Sequence, residues 1–82
     1  MTVSVTEEDI AQGARRSCTT CPVAIAVARA YSEKIVWVNT CNITIGYEMG
    51  KVVATPLEVK RFVLEFDAGE PVFPFEFTLE DA

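Results

Sequence analysis

The run Cys21-Pro22-Val23-Ala24-Ile25-Ala26-Val27-Ala28 constrains this chain more than any other stretch. Proline is favoured at the first helical position and biases the residue before it away from the α region, so a helix starts at Pro22 with Cys21 as its N-cap. From Pro22 to Tyr31 the only charged side chain is Arg29, and a helix apolar on nearly all sides needs cover on more than one face. Val23, Val27 and Tyr31 form one stripe and Ile25 projects elsewhere, while the alanines at 24, 26, 28 and 30 let neighbouring elements approach closely. Arg29 and Glu33, at i and i+4, mark the narrow wet edge. This helix is the expected buried centre of the fold.

Eighty-two residues make one domain, and a chain of that size buries roughly 60% of its unfolded surface. Half of its residues are apolar, which argues for a globular core over disorder and also raises the chance of an apolar contact surface. No uncharged apolar run reaches the ~18 residues a membrane span needs, and the N-terminus lacks a basic region followed by a hydrophobic one. Three cysteines are an odd number that suits a reducing compartment better than a secreted disulfide framework. The expectation is a soluble, cytoplasmic protein.

Twelve acids against seven bases give a formal charge of −5, and the signs are segregated. Residues 1–14 carry Glu7, Glu8 and Asp9 and no base; residues 65–82 carry Glu65, Asp67, Glu70, Glu76, Glu80 and Asp81 and no base. Every Lys and Arg lies between Arg15 and Arg61, so nucleic acid is not expected as a direct ligand.

Read in order, residues 2–6 alternate as a half-buried strand with Val3 and Val5 inward. Thr6 then caps a short helix whose first turn holds the three acids, and Gly13 stops it. Residues 34–54 are rich in β-branched and aromatic residues and contain no proline, which predicts two or three antiparallel strands. In the middle one Ile43, Ile45 and Tyr47 face the core, and 39–42 is the turn before it. Thr55-Pro56-Leu57-Glu58 predicts an N-cap threonine, proline at the first helical position and a glutamate closing a capping box. The helix that follows has Val59, Phe62, Val63 and Phe66 on one face, Lys60, Arg61 and Glu65 opposite, and Gly69 as terminator. After Pro71 and Pro74 the alternation of Phe75, Phe77 and Leu79 with Glu76, Thr78 and Glu80 predicts a last strand in one sheet with the first.

Val3-Ser4-Val5-Thr6 with Asp9-Ile10 and Gly13, then Cys21-Pro22-Val23-Ala24-Ile25-Ala26, then Phe66-Asp67-Ala68-Gly69-Glu70-Pro71-Val72-Phe73-Pro74-Phe75-Glu76-Phe77 together resemble a family of short uncharacterised proteins encoded by bacteriophages of actinobacteria. The resemblance spans most of the chain, and its last block is the most specific. It implies expression in the cytoplasm of a bacterial host. The family has no assigned activity, so it brings no site residues, and Cys18 lies outside its pattern.

Cys18-Thr19-Thr20-Cys21 has redox or metal spacing. In thioredoxin-like motifs, however, the first cysteine begins the helix after a strand, whereas Pro22 puts the second at the N-cap. Zinc takes four ligands, and with Cys18, Cys21 and Cys41 but no histidine a fourth must be a recruited carboxylate. Small cysteines that pack as hydrophobes or cap a helix are the plainer reading, with no metal and no cofactor. Acid–base or nucleophilic catalysis needs a nucleophile beside a base or carboxylates in an apolar pocket, and no such constellation is legible, so the chain reads as non-enzymatic. The basic doublets Arg15-Arg16 and Lys60-Arg61 read as solvated faces.

The expected fold class is α+β: a small single domain, an antiparallel sheet with a buried central helix and a C-terminal amphipathic helix. The expected function is that of a small phage accessory protein that binds a host or viral protein, with a homodimer as a further possibility. Trp37, Tyr47, Val72 and Phe73 are the candidate interface residues, because aromatic and aliphatic groups near the periphery commonly anchor protein contacts. Glu76, Glu80 and Asp81, joined by Glu7, Glu8 and Asp9, are a candidate acidic patch. Such a patch supports the alternative of a DNA-mimicking inhibitor of a nucleic-acid-binding host protein. A ligand-sequestering protein and a structural homo-oligomer are the remaining alternatives.

Overall fold

At Thr6 the chain turns from strand to helix, and the local chemistry explains the turn. The computed structural model describes residues 2–46 and 50–79, and its first element is strand β1, Thr2–Val5, with Val3 and Val5 buried. Thr6 Oγ1 accepts the Asp9 backbone N–H at 3.2 Å, and Asp9 Oδ2 accepts the Thr6 N–H at 2.9 Å. This reciprocal cap, with aspartate in the place more often held by glutamate, opens helix α1, Glu7–Gln12. Gly13 ends α1 for a packing reason: a Cβ there would run into the Pro22 ring.

Helix α2, Pro22–Tyr31, starts as its sequence dictates, with proline in its first turn and the Cys21 thiol accepting the Ala24 N–H at 3.4 Å. Pro22, Val23, Ala24, Ala26 and Val27 are buried, and α2 packs on β1, on α1 and on the second sheet. It is the central helix. Ser32 closes it in the left-handed region, φ 55°, and the Glu33 N–H reaches back to Ala28 O at 3.0 Å.

Strands β2 (Val36–Val38), β3 (Asn42–Ile45) and β4 (Lys51–Ala54) form one antiparallel sheet in that order. Asn39 makes the β2–β3 turn by accepting the N–H groups of Cys41 and Asn42 on its Oδ1. Val36, Val38, Ile43, Ile45 and Val53 point into the core. Tyr47, expected to continue that face, lies outside the described residues.

Helix α3, Leu57–Asp67, buries Val59, Phe62, Val63 and Phe66 as its periodicity requires. It ends with Gly69 at φ 80°, the Glu70 N–H bonded to Glu65 O and the Gly69 N–H to Phe66 O, the double bond pattern for which a left-handed glycine is suited. Strand β5, Phe75–Thr78, pairs antiparallel with β1 in the register Val3↔Phe77 and Val5↔Phe75. β1 and β5 are therefore partners, as their patterns predict, but the five strands among the described residues divide into two sheets with α2 between them. The fold is a small single α+β domain, with a radius of gyration of 11.3 Å against the ~12 Å of a compact chain of this length.

Two local expectations are corrected. Thr55 does not cap α3: the N-cap position is Pro56, no side chain caps the helix, and the Thr55 hydroxyl instead donates to Asn39 O at 2.8 Å. A strong acceptor brought close by the sheet wins over a local cap. Arg29 likewise turns away from Glu33 toward α1, where it meets Asp9, because a buried carboxylate offers more than a solvated one four residues along.

Candidate protein-binding surface

The most exposed aromatic of the described chain is Phe73, 75% accessible, and the strand register explains why. Val5 pairs with Phe75, so a continued ladder would set position 7 opposite Phe73. There the chain has already turned into α1. Pro71 and Pro74 flank the residue, and proline lacks the N–H that a ladder needs. Phe73 thus lies beyond the end of the β1–β5 ladder, with no cross-strand neighbour among the described residues.

Beside it runs a groove of about 560 Å³ between α3 and the 71–75 segment. Its floor is Phe62, Val72 and Phe75, its walls Leu64 and Phe73, and its rim Glu58, Arg61 and Glu65. The floor is rigid. The Phe75 ring lies 4.8 Å from that of Phe62 and 5.6 Å from that of Phe77, within the range of favourable aromatic pairs. Leu64 is 52% exposed and Leu57 is exposed as well. These two stand at i and i+7 on the outer side of α3, a second apolar stripe that the stronger inner one hides in the sequence. A neighbouring depression of about 550 Å³ is lined by Val5, Pro74 and Phe75 among Glu7, Glu8 and Glu76.

Of the expected interface residues, Phe73 and Val72 are brought together at this groove, Val72 half-buried against the core. Trp37 is on a different surface, the outer face of the three-stranded sheet, in register with Thr44 and through it with Val52. It is 37% exposed. Tyr47 is outside the described residues, as are Glu80 and Asp81 of the acidic patch. Glu76 is described; its Oε2 accepts the Ser4 hydroxyl at 3.0 Å.

Asp9 does not belong to an acidic surface. It is 2% exposed, the only buried charged residue among those described, and it accepts Arg29 Nη1 at 2.7 Å and Nη2 at 2.8 Å. The Arg29 hydrogen bonds hold its carboxyl below the usual range against the opposing pull of burial. Arg29 is correspondingly held above its own. Burial pushes the Cys21 thiol up. All three shifted groups serve the fold: a buried pair that ties elements together and a thiol that caps a helix.

Cys18 and Cys41 are exposed, Cys21 is buried, and all three are free. Among the described residues no group of three or more His, Cys, Asp or Glu side chains could hold a metal, and no helix is long and apolar enough to cross a membrane. No protein-family model, curated protein or solved structure matches the chain.

Proposed function

We propose that this chain is a small, non-enzymatic protein that acts by binding another protein, and that the groove between α3 and the 71–75 segment is where it does so. The observation that carries this reading is Phe73, held three-quarters exposed between two prolines beside a groove with a packed aromatic floor. A large ring kept in water without a partner strand is poorly explained by stability alone, and an aromatic at the edge of an apolar depression is the usual anchor of a protein contact. The resemblance to actinobacterial phage proteins supports a host or viral protein as the partner, met in the bacterial cytoplasm.

The DNA-mimic alternative is weakened by the loss of Asp9 to an internal pair. A homo-oligomer would find its best remaining surface at Trp37, Thr44 and Val52, and sedimentation of the Trp37→Ala variant tests it. The main reading is tested by affinity capture from an actinobacterial lysate with wild type and Phe73→Ala in parallel. The expected result is a partner recovered with wild type and lost with the variant, at unchanged thermal stability. Capture unaffected by Phe73→Ala would overturn it.

A further inference from the structure

The groove and the neighbouring depression share Pro74 and Phe75, so they adjoin along that segment, and a bound chain that crosses it meets both; the pair is called the trough below. Its charged lining is one-sided. Glu7, Glu8 and Glu76 stand at one end, Glu58 and Glu65 at the other, and Arg61 is the single base among the described residues that line it. The segregation of charge along the chain produces this: neither 4–8 nor 71–76, which build most of the trough, contains a Lys or Arg. Charges within about 10 Å of one another act together at ordinary ionic strength, so an approaching molecule meets an acidic field over an apolar floor.

We propose that this trough receives a basic, apolar-anchored segment of the partner protein: a bulky aliphatic or aromatic side chain seated on Phe62 and Phe75 between Leu64 and Phe73, with Lys or Arg on both sides of it. This rests on the protein-binding reading above and gives its partner a chemistry. The sign of the field does the selecting. Nucleic acid and anionic lipid would bring like charge to the rim. So would a second copy of this chain docked through the same face, since a two-fold contact sets a patch against itself. A segment with alternating cations and one anchor satisfies floor and rim together, and a guanidinium has a further site on the exposed face of Phe73.

The test is selection from a random linear peptide display library on the immobilised full-length chain, followed by affinity measurement on the selected peptides. The expected peptides are net positive, with a Leu, Met, Phe or Trp between Lys or Arg residues. Their affinity should fall about tenfold or more with Phe73→Ala. Glu8→Gln combined with Glu65→Gln should cost about five- to tenfold and flatten the salt dependence, whereas Glu33→Gln, beside Gly46 and lining neither depression, should stay within about twofold. Neutral or acidic peptides that are nonetheless lost with Phe73→Ala would overturn the partner chemistry and leave the groove standing. Basic peptides indifferent to Phe73→Ala, or no enrichment at all, would overturn both. A dimer in sedimentation that Phe73→Ala dissociates would put a second copy in the trough and equally sink the proposal.

Discussion

The guanidinium of Arg29 and the carboxylate of Asp9 meet fork to fork, two hydrogen bonds of 2.7 and 2.8 Å joining α2 to α1 across twenty positions of sequence. Arg29 Nη2 also donates to Ser4 O at 2.8 Å, so one side chain ties both helices to the first strand. Asp9 is enclosed while Arg29 is half in water, and that asymmetry decides what each substitution does.

Arg29→Met strands a buried carboxylate and is expected to cost about 2–3 kcal/mol at neutral pH, less than for a fully enclosed pair because Arg29 is half-exposed. Asp9→Asn keeps an acceptor for the Thr6 N–H and should cost about 1–2 kcal/mol. The pH dependence has a definite sign. In the wild type the carboxyl of Asp9 is held below its usual value, so its contribution is present above the unfolded pKa and is lost as pH falls through the folded one. Without Arg29, burial raises that pKa, and acid relieves the penalty. The gap between wild type and Arg29→Met should therefore narrow from pH 7 to pH 3 in urea titrations; a gap constant with pH would refute the pair's role.

Thiol chemistry should separate the cysteines. Cys18 and Cys41 are exposed and are expected to react promptly with a disulfide reagent, whereas Cys21 is buried with its thiol pushed toward the protonated form. It should react only as the start of α2 opens. Cys21→Ser keeps the cap on the Ala24 N–H and should alter stability by no more than about 1 kcal/mol. Immediate modification of all three thiols would contradict the placement of Cys21.

Ser32 holds a left-handed conformation, φ 55°, that costs a side-chain-bearing residue roughly 1–2 kcal/mol. Ser32→Gly removes that strain and loosens the unfolded chain, and the two effects oppose each other. A net gain of about 0.5–1 kcal/mol in thermal denaturation is the expected outcome. A loss would mean that the serine side chain has a role of its own.

Thr55 and Glu58 discriminate between local capping and the tertiary bond. Thr55→Val removes the hydroxyl from Asn39 O and should cost about 1 kcal/mol. Glu58→Ala should fall within about 0.5 kcal/mol, since no side chain caps α3. Equal losses in the two variants would restore the capping box.

What was legible in the sequence was whatever depended on neighbours a few residues apart. Pro22 after Cys21 marks the start of α2, the alternation of Val3 and Val5 with that of Phe75 and Phe77 marks two one-sided strands, and Gly69 marks the end of α3, because each signal is a matter of local geometry. Asp9 had a sufficient local explanation as a first-turn acid, and only the packing of α1 on α2 shows that it is buried. Thr55 failed for the same reason, its competing acceptor lying sixteen residues away. The division into two sheets was illegible because periodicity tells which side chains share a face and is silent on which strands pair. At the binding surface, Phe73 stood out by its prolines, but Leu57 and Leu64 were masked by the longer inner stripe of their own helix.

The pairing of β1 with β5 also bears on when the protein becomes whole. The Ser4–Glu76 bond spans 72 positions, so all the chain between them must be looped shut before that contact repays the lost freedom. The sheet β2–β3–β4 closes over short turns and can assemble first. On a ribosome β1 would emerge before β5 and wait, its open edge unpartnered, until residues 75–78 cleared the exit tunnel. The interval between those events is when the chain is most exposed to mispairing.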